Sequence, residues 1–281
     1  MLERHVDSGL VPGAMAVLVR HGVVHVEATG ALAFEGAGLK APMAVDTICR
    51  IGSMTKPVVT ACAMTLVEDC TLRLDDPVDD LLPELADITV LADPDGPLDD
   101  TVPAERPITL RDLLTGTLGT GMVPAEPGTV PIADALNAVD APSPDGWLRR
   151  LGTLPLVHQP GERWMYDTAA DVTGVLIAWA TGMSLGDALC ERICDPLGMK
   201  DTAFTVPGGS SARLATAYRR DNAATGSRSS TTAPRGGGAG RRRSNRVAAG
   251  SSRPPRITSP SPRPCWPAGP TAASGCSPGR R

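Results

Sequence analysis

The chain has 281 residues, of which 42% are apolar and 3% aromatic, and a formal net charge of −4. This suits a soluble core of one or two domains, and no run of 18 apolar residues is present to cross a membrane. The average charge hides a split: residues 1–221 hold 16 basic and all 31 acidic residues, net −15, while residues 222–281 hold 11 arginines and no acid, net +11.

The start, Met1-Leu2-Glu3-Arg4-His5-Val6-Asp7, has neither a charged-then-apolar leader nor an Ala-x-Ala cleavage site, so a cytoplasmic protein is expected. Seven cysteines, an odd number, fit reduced thiols in such a compartment. Residues 14–20 and 23–29 are apolar runs flanking His21-Gly22, and they predict a β-hairpin. His21 and His25 lack a third ligand nearby and read as a turn residue and a strand-face residue.

Next comes Gly52-Ser53-Met54-Thr55-Lys56, at the start of a helix predicted over 53–69. Three residues is about one helical turn, so the Ser53 hydroxyl and the Lys56 amine share a face. A serine attacks a carbonyl well only if a neighbour takes its proton, and a neutral lysine can do so. An ordinary lysine, with a pKa of about 10.4, is neutral in only about one molecule in two thousand at pH 7. The helix N-terminus and burial are both expected to lower the Lys56 pKa. A shift of about three units costs roughly 4 kcal/mol, within reach of a buried site. Pro57 falls in the first turn, where a missing N–H does least harm.

Residues 72–83 read as an Asp-rich loop with a short helix. Thr109 is expected to cap a helix with Asp112 three residues on. Gly116-Thr117-Leu118-Gly119-Thr120-Gly121 lacks a βαβ context, so it reads as a flexible loop rather than a phosphate cradle. Residues 124–145 read as a loop with a short helix. Helices are predicted over 170–180 and 184–194. On the second, Cys190 and Cys194 resemble half a metal site but read as buried thiols, since no further ligand is near. No metal and no organic cofactor is implied.

The stretch Gly161-Glu162-Arg163-Trp164-Met165-Tyr166-Asp167-Thr168 ends just ahead of the 170–180 helix and holds one of the two tyrosines. Together with Asp46-Thr-Ile-Cys-Arg-Ile-Gly-Ser-Met-Thr-Lys-Pro57, Leu72-Arg-Leu-Asp-Asp-Pro77, Arg106-Pro-Ile-Thr-Leu-Arg-Asp-Leu-Leu114 and Pro196-Leu-Gly-Met-Lys-Asp-Thr-Ala-Phe204, it resembles the serine β-lactamase-related family. That family includes class C β-lactamases, related esterases and DD-peptidases. The resemblance covers about residues 8–221, and Leu114-Thr-Gly-Thr-Leu-Gly-Thr-Gly-Met-Val123 looks most like the esterase branch.

The resemblance implies an α+β, β-lactamase/transpeptidase-like fold, with an antiparallel sheet flanked by helices and a helical domain. It implies acyl transfer to Ser53, with Lys56 as base and Tyr166 as a relay that passes a proton between the serine oxygen and the leaving group. A small-molecule ester is the favoured substrate, with β-lactams or D-Ala peptides next. Thr168 stands where many relatives carry Asn, which counts against β-lactam turnover. Asp171 is read as a cap or brace.

Relatives continue with strands, one of them carrying a Lys-Thr-Gly or His-x-Gly motif that supplies an oxyanion donor. No such motif follows residue 221 here. The text from about 225 onward is dominated by Arg, Gly, Ser, Pro and Ala, without apolar periodicity. The expected organisation is therefore a C-terminally incomplete hydrolase domain, 1–221, followed by a disordered tail, 222–281, with the composition of an out-of-frame reading. Only the hairpin is expected of the sheet. One lost oxyanion donor typically costs about 100- to 1000-fold in turnover. The lost strand also removes a pocket wall, so little or no activity and poor solubility are expected. The alternatives are a non-catalytic binding protein on the same scaffold, or a nucleic-acid-binding basic tail. The latter is disfavoured because Trp266 is the tail's only aromatic residue.

Overall fold

A computed structural model of the protein describes residues 1–206, 208–220 and 228–231. These lie in the first of two compact units, Met1–Gly250; the second, Ser251–Arg281, lies outside the described residues. The tail expected over 222–281 falls outside them too, apart from Arg228–Thr231.

A short helix, α1 (Leu2–Asp7), leads into β1 (Gly13–Arg20) and β2 (Val23–Gly30), an antiparallel hairpin in register from Gly13 opposite Gly30 to Arg20 opposite Val23. His21 and Gly22 both take positive φ, 50° and 78°, the turn whose twist matches that of the paired strands. The hairpin is where the two apolar runs flanking His21-Gly22 predicted it. It is not the only sheet. β3 (Thr89–Leu91) pairs antiparallel with β4 (Thr101–Pro103), and β5 (Ala217–Arg220) with β6 (Arg228–Thr231). Three-residue strands such as β3 and β4 are too short to show a period of two, and this explains why the sequence concealed them. Residues 214–216 are tied back through Ala215 N–H to Ile48 O and Thr216 N–H to Leu32 O. The Tyr218 oxygen accepts the Phe34 N–H at 2.9 Å, and its ring meets Phe34 edge-on.

The helical part comprises α2 (Thr55–Glu68), α3 (Leu110–Thr115), α4 (Pro131–Ala138), α5 (Pro144–Leu151), α6 (Thr168–Thr181) and α7 (Leu185–Leu189), which runs into a π-turn over Cys190–Cys194. Local chemistry sets several boundaries. Thr109 and Asp112 form a reciprocal capping box on α3, as their spacing predicted, and Ser143 and Ser184 cap α5 and α7. Gly116 and Gly182 end α3 and α6 in the left-handed conformation that disfavours a side chain.

α6 is the central element. Ala169, Val172, Thr173, Gly174, Val175, Leu176 and Ile177 are all buried, and a helix apolar around its circumference belongs inside a core. Val59, Cys62, Ala63 and Leu66 of α2 join Ile177 and α7 in one apolar cluster. Val172, Val175 and Leu176 join Leu110 and Leu113 of α3 and Leu148 and Leu151 of α5 in another. Each fully buried leucine or isoleucine contributes about 1.5–3 kcal/mol over an exposed one. This packing brings the N-terminal ends of α2 and α6 together. Among the described residues no single helix is long and apolar enough to cross a membrane.

Candidate active site

Gly52 takes φ 53°, and Gly52–Met54 form a 3₁₀ turn leading directly into α2. Residues i and i+3 eclipse one another in such a turn, which aligns Ser53 with Lys56. Lys56 Nζ lies 3.4 Å from Ser53 Oγ. The third expected residue arrives from 113 positions away: the Tyr166 hydroxyl donates to Ser53 Oγ at 2.7 Å. The Lys56 ammonium also lies 4.6 Å from the centroid of the Tyr166 ring, a cation–π distance. Ser53, Lys56 and Tyr166 therefore converge on one oxygen, at an open surface where Ser53 is exposed and Lys56 and Tyr166 are partly so.

The expected lowering of the Lys56 pKa is not what the structure gives. Burial does pull the Lys56 pKa down, but Asp167 Oδ1 sits 2.6 Å from Nζ, and its hydrogen bond and charge outweigh burial. The pKa is raised, and Lys56 is an ammonium at neutral pH. The helix end and desolvation act downward on this lysine, but an opposite charge at this range is the stronger effect.

Asp167 was not singled out in the sequence. It occupies φ 93° and ψ −67° just before α6, and its side chain makes no capping hydrogen bond there. Non-glycine residues at such angles store strain, typically about 1–3 kcal/mol. One helical turn further on, Asp171 has its pKa raised to about 6, first by burial and then by the charge of Asp167, with Lys56 opposing.

The loop carrying Tyr166 rests on the Gly-rich segment, which is packed rather than an open loop. Met165 N–H donates to Gly116 O and Met122 N–H to Tyr166 O, both within 2.8 Å. A Cβ at Gly116 would come within 2.9 Å of the Trp164 indole nitrogen, and one at Gly121 within 2.7 Å of Tyr166 O. These glycines let two backbones touch. No phosphate is needed to explain them.

A second brace lies behind the loop. Arg106 grips buried Asp112 with two hydrogen bonds, 2.7 and 2.8 Å, and Thr109 donates to the same carboxylate from its N–H and its hydroxyl. Burial alone would raise the Asp112 pKa, but these donors hold it below the ordinary carboxylate value. A side chain at Gly161 would run into the Arg106 guanidinium, so the segment leading to Tyr166 passes close over this pair.

Among the described residues no group of three or more His, Cys, Asp or Glu is arranged to hold a metal ion. The five described cysteines are free; of the two expected to be buried, Cys194 is and Cys190 is exposed, while Cys62 is buried and Cys49 and Cys70 are exposed. The Cys190 thiol donates to Asp195 Oδ1 at 3.5 Å.

The family model described as Beta-lactamase matches residues 1–253. An uncharacterized protein of Mycobacterium tuberculosis is 42% identical over 217 residues, 76% of this chain and 53% of that protein. Esterase EstB of Burkholderia gladioli is 37% identical over 197 residues, 68% of this chain and 47% of the esterase. Among solved structures, unliganded simvastatin synthase from Aspergillus terreus superposes with a TM-score of 0.68 at 30% identity, covering 82% of this chain and 60% of that one. The fold is thus of the β-lactamase/transpeptidase type. The chain spans about half the length of the curated relatives it matches.

Proposed function

Because the chain belongs to the Beta-lactamase family, we propose that it is a serine hydrolase or acyltransferase in which Ser53 takes the acyl group of a small-molecule ester. The observation that carries this reading is the convergence of two hydrogen-bonding partners on Ser53 Oγ, Tyr166 at 2.7 Å and Lys56 at 3.4 Å. Ser53 Oγ attacks the acyl carbon. As that bond forms, the serine proton moves to the Tyr166 oxygen and the phenol's own proton passes to the departing alcohol oxygen. The Lys56 ammonium opposes the negative charge that develops between these atoms. The Ser53 amide, in the 3₁₀ turn ahead of α2, is the candidate oxyanion donor.

The surroundings favour an apolar ester. Met54, Trp164 and Met122 flank the three residues and are 67%, 64% and 53% exposed, high values for side chains of this size. Met54 adjoins Ser53, the Trp164 ring lies 6.1 Å from that of Tyr166, and Met122 N–H bonds Tyr166 O. The names of similar proteins, an esterase and a hydrolase with promiscuous acyltransferase activity, support ester or acyl substrates over peptides.

The test is covalent labelling with a fluorophosphonate, followed by hydrolysis of a p-nitrophenyl ester. We expect stoichiometric label on Ser53, absent in Ser53→Ala, and ester turnover that Ser53→Ala abolishes. Folded protein that takes no label would remove the acyl-transfer reading in favour of a binding role for the scaffold.

A further inference from the structure

We propose that Asp167 is a positioning residue of this site, acting through Lys56 by holding it as an ammonium between Ser53 Oγ and the Tyr166 ring, so that the travelling proton passes through Tyr166 and never through the lysine. This rests on the acyl-transfer reading above and adds a residue and a division of labour to it.

Three observations carry the inference. Asp167 Oδ1 is 2.6 Å from Nζ, shorter than the 3.4 Å from Nζ to Ser53 Oγ, so the carboxylate is the lysine's dominant partner. Both side chains are about two-thirds shielded, at 27% and 34% exposure, so solvent screens the pair less than a surface ion pair. Asp167 also holds φ 93° with its side chain turned away from the helix end it precedes. Strain at such a residue persists where the surroundings impose it, and here it aims a carboxylate at the lysine. An aspartate at the start of α6 would ordinarily cap that helix; this one does not.

The charged and titratable groups around Lys56 are Asp167 and Tyr166 from the tyrosine loop and Asp171 from the next turn of α6. Asp171 is half-buried and binds its own proton more tightly than an ordinary aspartate, whereas Asp167 is the carboxylate in direct contact with Nζ, at 2.6 Å. In the reaction Lys56 keeps all three protons. The serine proton goes to the Tyr166 oxygen as the Ser53 O–C bond forms. The phenol proton goes to the leaving oxygen as its bond to the acyl carbon breaks, so the step balances with no change at the amine.

The experiment uses the full chain. Its only lysines are Lys40, Lys56 and Lys200, so reductive ¹³C-methylation gives three lysine NMR signals beside that of the N-terminal amine, with Lys56 assigned by its loss in Lys56→Arg. In the parent, Lys56 should titrate above the other two, and in Asp167→Asn about one pH unit or more lower. Fluorophosphonate labelling of Ser53 should slow about 10-fold in Asp167→Asn at pH 7–8, and the alkaline limb of its pH profile should move to lower pH. Asp167→Gly should label as slowly yet melt about 2–4 °C higher, because glycine accepts φ 93° without strain. Asp167→Glu should recover part of the rate.

An Asp167→Asn chain that labels as fast as the parent would overturn the proposal because Asp167 would then position nothing, and one that labels faster at neutral pH would overturn it by pointing to Lys56 as a neutral base. An unchanged Lys56 titration would overturn it equally. If the parent takes no label, the acyl-transfer reading fails alone, and the titration still decides whether Asp167 fixes the lysine's charge.

Discussion

A Cβ on Gly121 would stand 2.7 Å from the carbonyl oxygen of Tyr166 and 2.8 Å from the Cβ of Met165. The residue that meets Ser53 is thus seated on a backbone that tolerates no side chain beneath it. Gly121→Ala is expected to push the tyrosine loop outward by a fraction of an ångström to an ångström. Such displacements cost up to about 100-fold in rate, while overpacking costs about 1–3 kcal/mol in stability. Fluorophosphonate labelling at a temperature where the variant is folded measures this. Parental labelling would mean that the loop's height is irrelevant.

Tyr166→Phe removes the hydroxyl 2.7 Å from Ser53 Oγ and leaves the ring that faces Lys56. Labelling is expected to fall about 100-fold or more, the usual worth of a positioned proton-transfer group. The melting temperature should barely move, because the ring is already 36% exposed. A fall in rate without a fall in stability is the signature to look for.

Asp171 supplies a pH dependence whose sign is fixed. Its folded pKa is raised from 3.8 to about 6, so between those values the native state binds the proton that the unfolded state releases. This contribution to stability is full below about pH 4, fades as pH rises through 6, and at pH 7.5 leaves a deficit of up to about 3 kcal/mol. Asp171→Asn should therefore melt higher than the parent at pH 7.5 and alike at pH 4. Thermal denaturation of the two chains side by side at both pH values checks it. Comparison with the parent at each pH cancels the opposite trend of Asp112, whose lowered pKa gives stability that is lost on acidification.

Thr120 is 3% exposed, and its hydroxyl has no hydrogen-bond partner among the described residues. It faces Leu118, Leu151 and Leu156 at an apolar spot. An orphaned buried hydroxyl costs about 1–3 kcal/mol, so Thr120→Val should stabilise the fold by about 1 kcal/mol, or roughly 2–4 °C in melting temperature. A lower melting temperature would show that the hydroxyl has a partner after all.

Much of this site was legible before the structure. Ser53 and Lys56 are local: three residues apart, they needed only a helical turn to face each other. Tyr166 was legible through its frame, and the hairpin and the Thr109–Asp112 cap through their spacing. What could not be read depends on contacts distant in sequence. Asp167 neighbours Lys56 only because α2 and α6 pack, and its backbone angle is dictated by the fold rather than by its own preference. The Gly-rich segment looked loose because glycine is compatible with both a mobile loop and a close approach, and composition does not separate the two. Arg106 gave no sign of closing on Asp112 under the tyrosine loop, since the pair bridges a turn without periodicity.

Ser53 and Tyr166 are separated by 113 positions, and they meet only once α2 has docked on α6. Pairings so distant in the chain must wait for the intervening loops to close, so they form late during folding. A phosphonate that reacts with the serine therefore does more than find a nucleophile. Added to a refolding chain at successive times, it should stay silent while the helices form and respond when they dock, turning the hydroxyl into a clock for the last stage of assembly.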